Sequence, residues 1–327
     1  MIVLGLETSC DETSAAVIKN GKLESNLIYS QTEHSDFGGV VPEIASRAHL
    51  EKIAPLTQKA LTEASVSAEA VDLIAVSDSP GLAGALLVGI SYALGMHMAH
   101  GTALSGINHL EGHIAALFIS NPDIPLPFLA LVVSGGHTAI YRVDDFGCYT
   151  LLGQTVDDAA GEAFDKVGKM LGFNYPAGRS IEQKAAEAQN HDLVSFPIAK
   201  LSDSKLNFSF SGLKTAVKYF LKSKTSQYIT ENKADICYAF QRAVIKSLVN
   251  NLAEASKVTN IKTFGVVGGV ACNSTLRKTL TSRFGEQLFC PPPSLCTDNA
   301  AMIAMAGLKR AQMNCCRFPK MNPSRGI

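Results

Sequence analysis

The chain has 327 residues, of which 46% are hydrophobic and only 18% charged, and its formal net charge is zero. This length suggests two domains of ordinary size, and the composition excludes an intrinsically disordered chain. A neutral chain also lacks the basic character of a protein that grips nucleic acid alone. If a nucleic acid is the substrate, a local patch or a partner has to supply much of the phosphate contact.

Cysteine usage and hydropathy predict a cytoplasmic protein. None of the eight cysteines form CxxC pairs at zinc-ribbon spacing, so we interpret them as reduced thiols. The N-terminal run reaches Glu7 too early for a signal peptide. The stretch between Asp78 and Glu111 has no charged residue, but prolines and glycines interrupt it and no Lys or Arg anchors flank it. We therefore expect a buried helix there and no membrane association.

The first half alternates strands and helices. An apolar run, a polar turn and a second apolar run open it, and Asn20-Gly21 marks a hairpin to a third strand. A helix begins at Pro42 and contains Pro55 near a bend, and an apolar helix follows Pro80-Gly81. The predicted strands are Ile2–Glu7, Ala15–Ile18, Leu23–Ser30, Val71–Ser77 and Ala103–Asn108, and the predicted helices with both bounds are Pro42–Ala64 and His109–Phe118.

A linker at Asn121–Pro127, with three prolines in seven residues, separates the halves. The pattern then restarts with a strand, a Ser/Gly/Thr turn at Ser134–Thr138 and another strand, so both halves open alike. The elements predicted in this half are strands at Phe128–Val133, Ala139–Val143 and Thr263–Val267, and helices at Phe164–Leu171, Ile181–Gln189, Leu213–Lys224, Ala234–Lys257, Asn273–Phe284 and Asp298–Ala311.

This duplication predicts an α/β fold of two actin-like or sugar-kinase-like (ribonuclease H-like) domains that face a nucleotide cleft. We expect a first domain at 1–122, completed by a C-terminal segment at about 305–327. The second domain is expected at 123–304, with inserted helices. A fold analogy of this kind does not fix function.

The sharpest local signal is His109-Leu-Glu-Gly-His113. Residues four apart lie on one helix face, so two imidazoles there can bind one metal ion; two histidines with separate packing roles are the alternative. The motif is not the HExxH of metallopeptidases, because Glu111 lies about 200° around the helix from His109.

Two histidines need a third ligand. Asp298 precedes an apolar helix and is either its N-cap or a carboxylate ligand. Two histidines and one carboxylate with open positions suit iron or zinc. Spacing alone leaves both interpretations open.

Glycine-rich and acidic segments mark candidate ligand contacts in the second half. The glycines of Ser134–Thr138 allow backbone N–H groups to approach a phosphate, although an ordinary hairpin turn is the alternative. Gly268–Asn273 lies between a strand and a helix, where open α/β sheets bind nucleotides, and Asn273 caps that helix or binds a ligand. The acids of Asp157–Lys166 suit a helix start, and Asp165 is placed to accept from a ribose hydroxyl.

Ten ordered motifs resemble one family over residues 1 to about 310. The chain resembles the bacterial TsaD branch of the tRNA N6-adenosine threonylcarbamoyltransferase family, formerly described as an O-sialoglycoprotein endopeptidase. The motifs are Glu7–Thr13, Gly38–Glu43, Ala45–Arg47, His109–His113, Ser134–Thr138, Ala160–Lys166, Tyr175-Pro176, Phe208–Thr215, Gly268–Val270 and Cys296–Asn299.

The resemblance implies transfer of a threonylcarbamoyl group from threonylcarbamoyl-AMP to the exocyclic amine of adenosine 37 in tRNAs reading codons that begin with A, with release of AMP. The implied metal ligands are His109, His113 and Asp298. The implied substrate contacts are Val132, Val133, Ser134, Gly135, Gly136, Asp165, Gly178, Glu182 and Asn273, with Thr8, Ser9, Asp11 and Glu12 on the opposite wall. Because an aromatic amine is a poor nucleophile we expect a base, either Asp11 or Glu12.

The implied cofactor is one divalent metal ion, with iron as first choice and zinc or magnesium as alternatives. The implied partners are tRNA, an inactive TsaB-type paralogue that forms a heterodimer, a small TsaE-type P-loop ATPase and an upstream adenylate-forming enzyme. A metallopeptidase and an actin-fold ATPase or kinase are the competing hypotheses.

Two positions depart from the family pattern: Ser79 and Ala177 stand where the family has glycine. Ala177 tolerates a positive φ less well than glycine, so loop geometry there needs inspection. For tRNA contact, Lys214, Lys218 and Lys222 form a stripe on one predicted helix face, and a solvated surface is the alternative.

Overall fold

A computed structural model of the chain describes residues 1–199, 206–324 and 326. The chain forms two compact units, one of Met1–Ile124 with Pro291–Ile327 and the other of Pro125–Cys290. The C-terminal segment thus joins the first unit from Pro291, earlier than the position near residue 305 expected from the sequence. Within the described ranges, every helix is too short or too polar to cross a bilayer.

The described residues form ten strands and ten α-helices. The strands are β1 Ile2–Glu7, β2 Glu12–Lys19, β3 Lys22–Ser30, β4 Leu73–Ser79, β5 Ala103–Asn108, β6 Phe128–Val133, β7 Thr138–Asp145, β8 Cys148–Gln154, β9 Phe264–Val267 and β10 Leu288–Phe289. The helices are α1 Pro42–Glu63, α2 Ala83–His100, α3 His109–Ser120, α4 Ala160–Met170, α5 Gly178–Ala185, α6 Ser211–Lys222, α7 Ser226–Glu231, α8 Lys233–Thr259, α9 Ser274–Phe284 and α10 Ala300–Gln312.

Each unit is built on a five-stranded mixed sheet, and the two sheets have the same topology. The first has the order β3-β2-β1-β4-β5, and the second, read from β8, has the order β8-β7-β6-β9-β10. In each, the first three strands are antiparallel, and the central strand pairs in parallel with the next one. The duplicated α/β fold predicted from the sequence is therefore confirmed.

The sequence pattern missed β8, the third strand of the second sheet. Its residues are mostly exposed or half-buried, so it lacks the apolar run that marks β6. An edge strand needs only one partner and little burial, so hydropathy is a weak guide to it.

The helix α10 returns the end of the chain to the first sheet. Its residues Ala300–Leu308 are all buried, and it packs against β1 and α3. A side chain at Gly5 of β1 would collide with the Ala300 carbonyl, so glycine allows this close approach. Helix α10 therefore lies directly on the strand whose last residue is Glu7, and this contact fixes the segment just before α10.

The C-terminal tail is fastened to β4 by a buried ion pair. Asp78 is fully buried, and its carboxylate accepts from both terminal nitrogens of the Arg317 guanidinium at 2.5 and 2.7 Å. The Gly106 N–H donates to the Arg317 carbonyl at 2.8 Å, and the Gly81 N–H donates to the Pro323 carbonyl at 3.0 Å. The tail thus covers the carboxyl ends of β4 and β5.

We predict that Arg317→Ala lowers the free energy of unfolding by about 3–5 kcal/mol, because it leaves the Asp78 carboxylate buried without its partner. Denaturant unfolding measures this. The control is Arg47→Ala, which breaks an exposed pair with Glu43 and should cost less than about 0.5 kcal/mol. Equal losses in the two variants would contradict the assignment.

Candidate functional site

Helix α3 presents two histidines from its first turns because Asn108 caps it. The Asn108 side chain accepts from the N–H groups of Leu110 and Glu111 at 2.9 and 3.3 Å, so the helix begins at His109, directly after β5. His109 is 5% exposed and His113 is fully buried. Their ring centroids are 4.7 Å apart, edge to face, so both imidazoles lie on one side of α3.

Asp298 meets this pair from the segment before α10. Its Oδ1 lies 3.2 Å from Nε2 of His113 and 3.5 Å from Nε2 of His109. Asn299, not Asp298, caps α10, because the Asn299 side chain accepts from the Met302 N–H at 3.1 Å. The capping interpretation of Asp298 is therefore wrong, and its carboxylate faces the imidazoles.

The three residues fit a divalent cation. One ligand atom from each of His109, His113 and Asp298 lies within 4.8 Å of the others. Nε2 of buried His113 faces the Asp298 carboxylate at 3.2 Å, but in a geometry that does not make a hydrogen bond. A buried polar atom without a well-aligned partner is costly, and coordination to a cation would satisfy it. Two imidazoles and one carboxylate with open positions form a donor set typical of zinc or iron.

Glu7, at the end of β1, orients His109 from behind. Its carboxylate is fully buried, and Oε2 accepts from Nδ1 of His109 at 3.0 Å. The other oxygen accepts from the Ser9 N–H at 2.6 Å and the Ser77 hydroxyl at 3.1 Å. Because Nδ1 donates to Glu7, Nε2 is the nitrogen directed at Asp298. The sequence placed Glu7 in a motif but gave it no role; its signal was an acid ending a buried strand.

The charges of the site are strongly coupled. Burial opposes the charged form of His109, but the carboxylates of Asp298 and Glu7 outweigh burial and raise its pKa well above the usual value. Burial likewise opposes ionisation of Asp298, and the two histidines lower its pKa well below the usual value. The pKa of His113 is lowered, chiefly by burial. The Asp298 carboxylate is therefore ionised and stabilises positive charge beside it, either a proton on His109 or a metal cation.

Glu111 serves a different purpose from the histidines beside it. It is 1% exposed, and its Oε2 accepts from Nη2 of Arg310 at 2.6 Å. The Arg310 Nε lies 3.2 and 3.1 Å from the two carboxylate oxygens. This ion pair joins α3, which carries both histidines, to α10, the helix that follows Asp298.

Asp11 and Glu12 lie in the turn after β1 and at the start of β2. Burial, followed by the negative charges of Asp298 and Asp11, raises the pKa of Glu12 to about 10. A carboxyl group with that pKa is protonated at neutral pH and donates a hydrogen bond. The charges of Asp298 and Asp11 thus act on Glu12, which has to release a proton before it can act as a base.

A buried imidazole fixes the same turn. His49 of α1 is fully buried, and its Nε2–H donates to the Cys10 carbonyl at 2.9 Å. Because a carbonyl can only accept, Nδ1 is the unprotonated nitrogen and accepts from the Thr13 hydroxyl at 2.8 Å. Burial lowers the pKa of His49, in keeping with this neutral form. The Ala45–Arg47 motif thus belongs to the helix that holds the turn.

In the second unit, the Ser134 hairpin closes against the start of α4. The Ser134 N–H donates to the His137 carbonyl at 2.8 Å, and the Gly161 N–H donates to the Ser134 carbonyl at 3.2 Å. Only glycine fits at position 161, because an added Cβ would lie 2.6 Å from the Ser134 oxygen. Gly135 and Gly136 stay exposed at the tip, where their backbones are open to a ligand.

The other predicted substrate contacts of this unit are joined in pairs. Asp165 accepts from the Ala177 N–H at 2.8 Å, beside Gly178 at the start of α5. Glu182 accepts from the Ser274 N–H at 2.6 Å, next to Asn273. Two of the predicted carboxylates therefore position backbone loops.

Three further predicted substrate contacts, Val132, Val133 and Asn273, also have structural roles within the second unit. The side chains of Val132 and Val133 are fully buried in β6, so only their backbones remain for a ligand. Asn273 caps α9 by accepting from the Leu276 N–H at 2.9 Å, and its amide donates to Gln241 at 2.8 Å.

The two departures from the family pattern fit the structure. Ala177 has φ −95° and ψ −10°, an ordinary conformation for alanine, so no positive φ is required. Ser79 is buried at the end of β4 and donates to Asp78 at 2.8 Å.

Solved structures share this fold. HypF from T. kodakarensis matches with a TM-score of 0.62 at 12% identity, over 94% of this chain and 47% of that one. Component A of the (R)-2-hydroxyglutaryl-CoA dehydratase of Acidaminococcus fermentans matches with a TM-score of 0.57 at 15% identity, over 95% and 99% of the two chains. At these identities the likeness shows the fold alone. Fold and site together define an actin-like α/β protein with a candidate centre of two imidazoles and a carboxylate.

Sequence comparison gives the family. The sequence model of TsaD, tRNA N6-adenosine threonylcarbamoyltransferase, matches residues 22–305. The relative of that name from Geobacter metallireducens is 49% identical over 94% of this chain and 91% of its own. The one from Syntrophus aciditrophicus is 50% identical over the same shares. The chain belongs to the TsaD family of tRNA N6-adenosine threonylcarbamoyltransferases.

We predict that Glu7→Gln weakens zinc binding by about 10- to 100-fold, because an amide orients the His109 ring less firmly and makes it a weaker donor. Competition with a chelator of known affinity measures this. The control Glu43→Gln changes an exposed carboxylate of the same unit and should leave the affinity unchanged. Wild-type affinity in Glu7→Gln would exclude the orienting role.

A second prediction concerns Asp158, which lies 2.7 Å from Nζ of Lys166 and 2.5 Å from Nζ of Lys214. Burial alone would raise its pKa, but these lysines lower it. A lowered folded pKa gives stability that is present above the unfolded pKa, roughly 4, and is lost as pH falls through the folded value. Asp158→Asn should therefore be less stable than the wild type at pH 7, with the difference shrinking in acid.

Denaturant unfolding at several pH values tests this. The control Asp144→Asn removes an exposed carboxylate paired with Arg142 and should show a far smaller pH-dependent difference. A destabilisation of Asp158→Asn that did not change with pH would show that packing, not charge, is responsible.

Proposed function

We propose that this chain transfers the threonylcarbamoyl group from threonylcarbamoyl-AMP to the exocyclic amine of adenosine 37 in tRNAs that read codons beginning with A. Family membership supports this, with identities of 48 to 50% over most of the chain. The observation that carries the proposal is the convergence of His109, His113 and Asp298 on one point in the first unit.

The reaction forms one bond and breaks one. The amine nitrogen of adenosine attacks the carbamoyl carbon, the bond from that carbon to the phosphate oxygen breaks, and AMP leaves with the electron pair. Asp11 or Glu12 accepts the proton that the amine loses. Separate substitution of each residue distinguishes them, since only the acceptor should be indispensable at every pH.

We propose that His109, His113 and Asp298 hold one divalent ion, with iron first and zinc or magnesium as alternatives. When bound, such an ion supplies Lewis-acid polarisation of a carbonyl or phosphate oxygen. The protein's own contribution is to fix the three donors: Glu7 orients His109, and Asn299 leaves Asp298 free of the cap. The ion pair of Glu111 and Arg310 holds the two helices together.

The second unit supplies the proposed binding site for threonylcarbamoyl-AMP. The exposed backbone at Gly135 and Gly136 is suited to the phosphate, because oriented N–H groups there would neutralise charge as AMP leaves. Asp165 and Glu182 hold the loops at Gly178 and Asn273 by backbone hydrogen bonds. Ser134 adds a hydroxyl, and Val132 and Val133 contribute main-chain groups.

The partners proposed for this chain are tRNA, a TsaB-type paralogue as heterodimer partner, a TsaE-type P-loop ATPase and an upstream adenylate-forming enzyme, all in the cytoplasm. The zero net charge supports a need for help in holding tRNA. The competing hypotheses gain no support. A peptidase would need Glu111 as a base, and it is held by Arg310; a shared fold does not establish an ATPase or kinase.

We predict that His109→Ala abolishes tRNA modification in a reconstituted system of threonine, bicarbonate, ATP, tRNA and the partner proteins, because the cation loses a donor. Mass analysis of tRNA nucleosides measures threonylcarbamoyladenosine. The exposed His100→Ala is the control and should retain activity. Full activity in a folded His109→Ala would defeat the proposed centre, and no product from the wild type would defeat the proposed function.

A further inference from the structure

A segment of the second unit concentrates positive charge in a neutral chain. Residues 206–230 contain no Asp or Glu. They contain four lysines, which are Lys214, Lys218, Lys222 and Lys224. Over the whole chain the basic and acidic residues are equal in number, 29 each, so this acid-free segment is a local source of positive potential.

Helix α6 exposes two of these lysines on one face. Leu213, Val217 and Leu221 are buried and attach the helix to its unit. Lys218 and Lys222 are exposed and lie one turn apart, hence on the same face. Within the described ranges, neither Lys218, Lys222 nor Lys224 forms an ion pair with a carboxylate, so their charge is not neutralised locally.

Lys214 does not belong to this face. Its Nζ lies 2.5 Å from Asp158, and its side chain is only 22% exposed. The stripe predicted from the sequence therefore loses its first member, whose charge is neutralised inside the unit. The exposed lysines are therefore Lys218 and Lys222, in the C-terminal half of α6, together with Lys224 just after the helix.

Aromatic rings are interleaved with the exposed lysines. Tyr219, next to Lys218, is 68% exposed, which is unusual for so large a ring. Nζ of Lys224 lies 5.4 Å from the ring centroid of Phe220 and 5.1 Å from that of Tyr228. We call Lys218, Tyr219, Lys222, Lys224 and Tyr228 the basic-aromatic surface. Lysines for phosphates and an open ring for a base are the parts that single-stranded nucleic acid recognition uses.

We propose that the basic-aromatic surface binds the tRNA substrate, with the lysines on backbone phosphates and Tyr219 stacked on an unpaired base. This inference rests on the proposed function. Helix α6 packs against α4, which carries the proposed substrate contact Asp165, so the surface belongs to the same helical layer as that site. An acidic protein would also suit the lysines, but it gives no reason for an exposed tyrosine between them. The observations therefore favour RNA.

The test is tRNA binding to the reconstituted complex over a range of salt concentrations. The triple variant Lys218→Ala, Lys222→Ala, Lys224→Ala should bind tRNA about tenfold or more weakly near 0.1 M salt, and its log–log salt slope should fall by about 2–3. Tyr219→Leu should also weaken binding by about tenfold, whereas Tyr219→Phe should bind like the wild type because the ring face remains.

The matched control removes three exposed lysines from elsewhere in the same unit: Lys246, Lys262 and Lys278. It changes net charge equally and should leave the affinity and the salt slope near wild-type values. Thermal unfolding of each variant verifies that the fold is kept. An equal loss in the control would overturn the proposal, because the effect would then come from net charge alone.

Unchanged affinity and slope in the folded triple variant would also overturn it. So would wild-type tRNA binding combined with lost binding of a protein partner, which would assign the surface to that partner. These results are distinct from failure of the proposed function, in which the wild-type complex itself yields no threonylcarbamoyladenosine. Suppose that the wild type modifies tRNA and the triple variant has an unchanged KM for tRNA. That result would contradict the proposed tRNA-binding surface and leave the proposed function standing.

Discussion

The first unit is organised around one electrostatic constraint: the partly exposed Asp298 carboxylate meets two buried histidines, one of which is paired with buried Glu7. Glu7 and His113 are fully buried and His109 nearly so. Isolated charges in such surroundings are costly, so each must find an opposite charge, a hydrogen bond or a cation. Glu7 is satisfied by Ser9, Ser77 and His109, while Nε2 of His113 meets the Asp298 carboxylate at 3.2 Å without the geometry of a hydrogen bond. That imbalance makes the site receptive to a positive ion.

The surrounding fold removes freedom from each donor. Asn108 and Asn299 cap the two helices and thereby decide which residues precede or open them. Gly5 lets α10 lie on β1, and the ion pair between Glu111 and Arg310 joins α10 to α3. These contacts fix where the candidate donors lie, and small errors in donor placement weaken metal coordination. The hydrogen bonds of His49 to Cys10 and Thr13 likewise fix the turn that carries Asp11.

The second unit has the same sheet topology as the first, but its carboxylates have different hydrogen-bond partners from those of the first unit. Asp165 and Glu182 accept from backbone N–H groups and so shape loops, whereas Asp298 faces imidazoles. Asp158 neutralises Lys214, which leaves the charge of α6 to Lys218 and Lys222. The same scaffold thus carries a candidate cation centre in one unit and a hairpin with two exposed glycines in the other. Its acidic residues differ in role because their nearest partners differ.

The sequence alone determined the duplicated α/β fold and the family, and it placed His109 and His113 on one helix face, because periodicity and motif order are local properties of a chain. It left open whether Asp298 was a cap or a ligand, it gave Glu7 no role, and it counted Lys214 in an exposed stripe. Those answers depend on partners far away in sequence: His109 and His113 beside Asp298, His109 beside Glu7, and Asp158 beside Lys214. Only tertiary structure decides them, since side-chain roles follow from which groups burial brings together.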